Sequence, residues 1–168
     1  MIELAISLPL FIVLLCIPLE IGVIFIEAQR ISTLNQIMTD RVFRDCAEMG
    51  EQTEAEACVD EIMGEVLIGQ PYRATVCLNE RRTDPDGTNP VLRTVVRERN
   101  GGDAASFFKN NPAYFQQYLM MPDGQRSSPT AETPVVTGEI FWEHRAVTPI
   151  YYLIRGALPG AHHDVVTL

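Results

Sequence analysis

From Leu4 to Ile26 the chain is apolar at nearly every position, with no polar alternation and no helical stripe. Its 23 residues, at about 1.5 Å rise each, are long enough to cross the hydrocarbon core of a bilayer. After Ile26 the pattern turns amphipathic. Helix-compatible sequence continues through Glu27-Ala28-Gln29-Arg30 to about Met49 and meets a stop at Gly50. Pro9 and Pro18 each remove a backbone donor, so the pattern predicts one long, bent helix of roughly 45 residues, half in lipid and half out. A second helix is expected from Thr53 to Leu67, with Thr53 as N-cap, Glu54 and Glu56 in the first turn, and Val59, Ile62 and Val66 as its buried stripe. Gly69-Gln70-Pro71 ends it.

The period then changes to two. Tyr72 to Leu78 and Val91 to Arg99 alternate as half-buried strands and read as an antiparallel pair around the turn-rich Arg82–Pro90 segment. Gly101-Gly102 breaks the pattern and opens an insertion at about 101–134. It holds five aromatics (Phe107, Phe108, Tyr114, Phe115, Tyr118), a short helix expected from Pro112 to Leu119, and a polar loop from Pro122 to Pro134. Val135 to His144 is the clearest strand, with Val136, Gly138, Ile140, Trp142 and His144 on one face. Thr148 is expected to cap a short helix from Pro149 to Ile154, Leu158-Pro159-Gly160 stops it, and His162 to Leu168 forms a last strand. The expected fold is α+β. A long N-terminal helix (1–50, membrane part about 4–26) extends into a small domain (51–168) built on a mostly antiparallel sheet.

Two carboxylates stand at the ends of the apolar run. Glu3 is at its mouth and Glu20 near its far end, in Leu19-Glu20-Ile21-Gly22. Acids there are costly in lipid, and a plain anchor needs neither. The run is too long for a secretory signal peptide, and no Lys or Arg precedes Arg30. A net charge of −9 argues against a nucleic-acid partner.

Of four cysteines, Cys16 lies in the apolar helix as a small buried residue. Cys46 and Cys58 flank Gly50, and a turn at Met49–Thr53 would bring them together. A disulfide there would staple a helical corner in an oxidising compartment, with Cys77 as a competing partner.

Enzymatic signatures are missing: there is no G-x-S-x-G, H-E-x-x-H, P-loop or G-x-G-x-x-G. His162-His163-Asp164 places neighbours on opposite faces of a strand, which suits surface polar residues better than a metal site. Glu143-His144-Arg145 reads as a charged strand end, and Asp84 and Asp86 lack the spacing of a calcium loop. No cofactor, metal or catalytic residue is expected.

The residues Ile2-Glu3-Leu4-Ala5-Ile6-Ser7-Leu8-Pro9-Leu10, with Glu20-Ile21-Gly22 about one membrane width later, resemble the start of TadE-like proteins. These are the pseudopilins or minor pilins of tight-adherence (Tad/Flp) pili, related to type IV pili. Arg41 and Arg44 resemble the arginines usual in the extended helix. Val147-Thr148-Pro149, the short apolar helix, Leu158-Pro159-Gly160 and the final strand resemble the C-terminal pattern. The likeness covers about residues 2–50 and 135–168.

It implies a non-enzymatic subunit that helps initiate, prime or cap the filament. Its partners would be other Tad minor pilins, the major Flp pilin, the inner-membrane assembly platform and membrane lipid. It also implies a single-pass protein of the inner membrane whose C-terminal domain faces the periplasm or the outside. Glu3 would pair with the N-terminal amine of a neighbouring subunit. Glu20 would hydrogen-bond or pair laterally, its alternative being to snorkel to the interface. The competing readings are a membrane-tethered extracytoplasmic enzyme or sensor, and a subunit of another envelope complex.

Overall fold

The computed structural model describes residues 2–47, 49–83, 90–102, 134–149, 151–154 and 162–168. Helix α1 runs over Ile2–Arg41 and continues without a break into a π-helical turn at Val42–Cys46. Together they make 45 helical residues (40 plus 5), the length that the sequence pattern predicts, but the end falls at Cys46 and not near Met49. Both prolines lie inside α1.

The helix has two unlike halves. Residues 7–15, 18 and 19 are exposed, with Cys16 and Ile17 half-buried. Only 6% of its most apolar window is buried, so this is not the core helix of a water-soluble domain. From Glu20 onward one face is covered. Glu20, Ile31, Asn35, Met38, Thr39, Val42 and Cys46 are buried, at the 3-to-4-residue recurrence of a helix face, and this stripe packs on the strands β3 (Val135–Trp142) and β4 (His162–Thr167). The bare segment therefore ends at Leu19, before the apolar run itself ends at Ile26. Over 20–26 the domain covers one side, while Ile21, Phe25 and Ile26 stay exposed on the other.

Helix α2 spans Gln52–Val66, with Ala55, Val59, Ile62 and Met63 buried and Val66 half-buried. Thr53 is not its N-cap. Gln52 is already helical, so Glu51 holds that position, in extended backbone and with no side-chain cap hydrogen bond. At the far end Leu67 N–H returns to the Met63 carbonyl, and Gly69 takes φ +67°, the left-handed geometry that ends helices. The predicted staple is present: Cys46 and Cys58 are joined by a disulfide, with their Cα atoms 5.8 Å apart. Cys77, the competing candidate, is buried and stands outside this disulfide.

Strands β1 (Arg73–Thr83), β2 (Pro90–Arg99), β3 (Val135–Trp142) and β4 (His162–Thr167) form one sheet in the order β2-β1-β3-β4. Every neighbouring pair is antiparallel. Ala74, Val76, Leu78, Val95, Val136, Ile140 and Trp142 join the stripes of α1 and α2 in a single core.

The arginines of β2 fasten α2 and its corner. Arg93 Nη1 donates to the Met49 (2.7 Å) and Glu51 (3.3 Å) carbonyls, Arg97 pairs with Glu56 and Asp60, and Arg99 Nη1 reaches the Met63 carbonyl (3.2 Å). The described part of the short helix α3 is Tyr151–Ile154, and Pro149, expected as its first residue, lies in a turn. The aromatic helix expected at 112–119, the polar loop 122–134 and the acidic turn at Asp84 and Asp86 lie outside the described residues.

Candidate functional site

A side chain at position 20 of α1 falls on the same face as one at position 27, two helical turns later. Both residues are glutamates. The inward face of β3, followed past its end at Trp142, delivers His144 to this face. His144 Nε2 lies 2.7 Å from Glu20 Oε1, and its Nδ1 lies 2.8 Å from Glu27 Oε2. The imidazole and the Glu20 side chain are wholly excluded from solvent, whereas the Glu27 side chain is 36% exposed.

A ring nitrogen facing a carboxylate oxygen at this distance must donate, and only the imidazolium donates from both nitrogens. Burial alone would lower the His144 pKa. The hydrogen bonds to Glu20 and Glu27, with their negative charge, outweigh that and raise it above its ordinary value. Tyr151 packs edge-on to the imidazole, with ring centroids 5.1 Å apart.

The loop after β3 completes the site. Glu20 Oε1 also accepts the Val147 N–H (3.1 Å), and Oε2 accepts both the N–H (2.8 Å) and the hydroxyl (2.7 Å) of Thr148. A carboxylate offers about four lone-pair positions, and here four donors, all from the same chain, fill them. Thr148 was expected as the cap of α3. Its hydroxyl instead donates to Glu20, and main-chain bonds run from the Tyr151 N–H to the Thr148 carbonyl and from the Tyr152 N–H to the Pro149 carbonyl. The buried charge is thereby compensated, as burial of a carboxylate requires.

About two turns beyond Glu27, α1 is locked to the sheet a second time. Asn35 Nδ2 donates to the Gly138 carbonyl (3.0 Å), the Asp164 carbonyl (3.2 Å) and Asp164 Oδ2 (2.9 Å), joining α1 to β3 and β4. Thr39 returns its hydroxyl to the Asn35 carbonyl at 2.7 Å. Gly138 makes this approach possible: a Cβ there would sit 2.4 Å from both Asn35 Oδ1 and Thr39 Oγ1.

Of the residues singled out from sequence, Glu20 lies at the centre of this site and Cys46–Cys58 forms the distal corner. Glu3 lies in the first turn of α1, and its side chain is outside the described residues. Arg41 and Arg44 make ion pairs with Glu65 and Asp40. The sequence reading leaves Glu27 and Asn35 without a role, takes Asp164 as a surface polar residue and takes His144 as part of a charged strand end, whereas the fold buries the His144 side chain. A signal for His144 existed, since the period-two face of β3 continues to it and the facing helix carries acids seven residues apart. Among the described residues no group of His, Cys, Asp and Glu is arranged to hold a metal ion.

No family model matches the chain, nor does any curated protein or solved structure. Its class thus rests on fold and site: a small α+β domain mounted on a single long helix whose exposed half is long and apolar enough to cross a membrane.

Proposed function

We propose that this protein is a pilin-like subunit, of the minor or pseudopilin type, which helps to initiate, prime or cap a Tad-type filament through packing of its N-terminal helix. The observation that carries the reading is the continuity of α1. One uninterrupted helix carries an apolar stretch that is largely exposed from Ser7 to Leu19 and from Glu20 on forms one wall of the domain core. A simple anchor needs no rigid coupling to its cargo. A subunit that must transmit position from membrane to filament does.

In this reading the two acids divide the work. Glu20 fixes the domain to the helix, its acceptor positions being filled within the chain. Glu3 remains for the N-terminal amine of a neighbouring subunit, where pairing neutralises two charges in an apolar setting. The subunit resides in the inner membrane with its domain on the outer side, where the Cys46–Cys58 disulfide is stable. Both nitrogens of His144 are engaged and its side chain is fully buried, which supports a structural rather than a catalytic role for this histidine.

Photo-crosslinking from Phe11 and Leu15, in cells making the filament, tests the reading. Crosslinks to other subunits bearing an apolar N-terminal helix are expected. Recovery of lipid adducts alone, under conditions in which the filament is assembled, would contradict it.

A further inference from the structure

The base of the domain carries apolar groups at the level where the bare helix ends. The Val147 and Thr148 amides bond Glu20, so this loop is held against α1 immediately after Leu19. Val147 is 64% exposed and Tyr152 70%, with Pro149 and Arg145 exposed beside them. Tyr151 is buried against His144, so Tyr152 cannot fold back into the core without displacing its neighbour. The exposed apolar stretch of α1 runs up to Leu19, and from Glu20 the domain covers one side of the helix, so on that side lipid reaches no further than Glu20 and the loop that Glu20 holds.

We infer that Arg145, Val147, Pro149 and Tyr152 form a docking surface for the lipid interface, so that the domain rests on the membrane rather than swinging above it. Tyr152 occupies the headgroup level, where an aromatic ring with a polar tip is most favourable. Val147 and Pro149 enter the acyl boundary, and Arg145 meets the phosphates. The four hydrogen bonds on Glu20 set the depth. This inference rests on the membrane-spanning reading of α1 and is independent of the filament reading.

The test uses the full chain in vesicles of phosphatidylcholine and phosphatidylglycerol with brominated acyl chains, which quench tryptophan at the depth of the bromine. Three variants each add one tryptophan to the native Trp142: Tyr152→Trp, Phe11→Trp in the bare helix, and Ile37→Trp, which is exposed 18 residues beyond Leu19 on α1. Loss of the added emission at 152 and at 11, with the added emission at 37 retained, is the expected result. Quenching at 11 but not at 152 would overturn the docking surface while leaving the helix in the membrane. Absence of quenching at 11 would remove the spanning reading and the docking surface with it. Protection of the tryptophan at 152 from both brominated lipid and aqueous acrylamide would assign the surface to a second copy of the chain and overturn the proposal.

Discussion

Replacing His144 with alanine removes the cation from between two carboxylates and leaves Glu20 buried with three donors instead of four. Stripping one partner from a buried ion pair costs about 3–5 kcal/mol, because the remaining charge stays desolvated. For a chain of this size each kcal/mol moves the melting temperature by about 2–4 °C, so His144→Ala should lower it by roughly 6–20 °C. Glu20→Ala removes the charge along with its bonds. It leaves the Val147 and Thr148 amides and the imidazolium without that acceptor, so it too should destabilise by several kcal/mol.

The decisive quantity is the coupling between the two sites. Once Glu20 is gone, loss of His144 strands no charge there, and the double variant should be more stable than the sum of the single losses predicts. The coupling should exceed about 1 kcal/mol, within the 0.5–3 kcal/mol typical of residues sharing a network. The assay is thermal unfolding of the four proteins in one detergent, followed by circular dichroism and by Trp142 fluorescence. Additivity within about 0.5 kcal/mol would refute the clamp as an energetic unit.

Further outcomes follow from the same geometry. His144 titrates above its ordinary value of 6.5, so its stabilising contribution is complete below about pH 6.5 and is lost as pH rises through the folded value; chemical unfolding across that range should show the decline, and His144→Ala should flatten it. Opening the Cys46–Cys58 bond frees a closed loop whose ends are 12 positions apart, a loss of about 3 kcal/mol, read as a lower melting temperature with reductant that the Cys46→Ser/Cys58→Ser variant reproduces without it. Gly138→Ala drives a methyl into Asn35 and Thr39 and should cost at least the 1–3 kcal/mol typical of overpacking, measured as a shift in denaturant midpoint; an unchanged midpoint would mean that α1 does not approach the sheet this closely.

Much of the architecture is legible in the sequence because it depends on local periodicity. The run from Leu4 to Ile26 specifies an apolar helix, the alternation in Thr94-Val95-Val96 and in Val136 to Trp142 specifies strands, and the placing of Cys46 and Cys58 on either side of a turn specifies the staple. The second glutamate is also conspicuous, since a carboxylate in such a run demands compensation. What compensates it is not legible by these means. Thr148 is 128 positions away, and its hydroxyl reads locally as a helix cap until the chain folds and offers it a charged acceptor. Likewise Glu143-His144-Arg145 has the composition of a solvated strand end, and only the packing of α1 on β3 and β4 turns its middle residue inward. The N-terminus of α2 shows the smaller error of this kind, as Thr53 is a favoured cap whose neighbour Gln52 has already entered the helix.

The central claim is that residues 1–19 form an assembly surface and not merely an anchor. It is tested most directly by exchanging them for an unrelated apolar helix of equal length, keeping Glu20 and everything after it, and measuring the filaments sheared from cells. The account predicts a membrane-inserted, disulfide-bonded protein and few or no filaments. Normal filament yield from that chimera would contradict it.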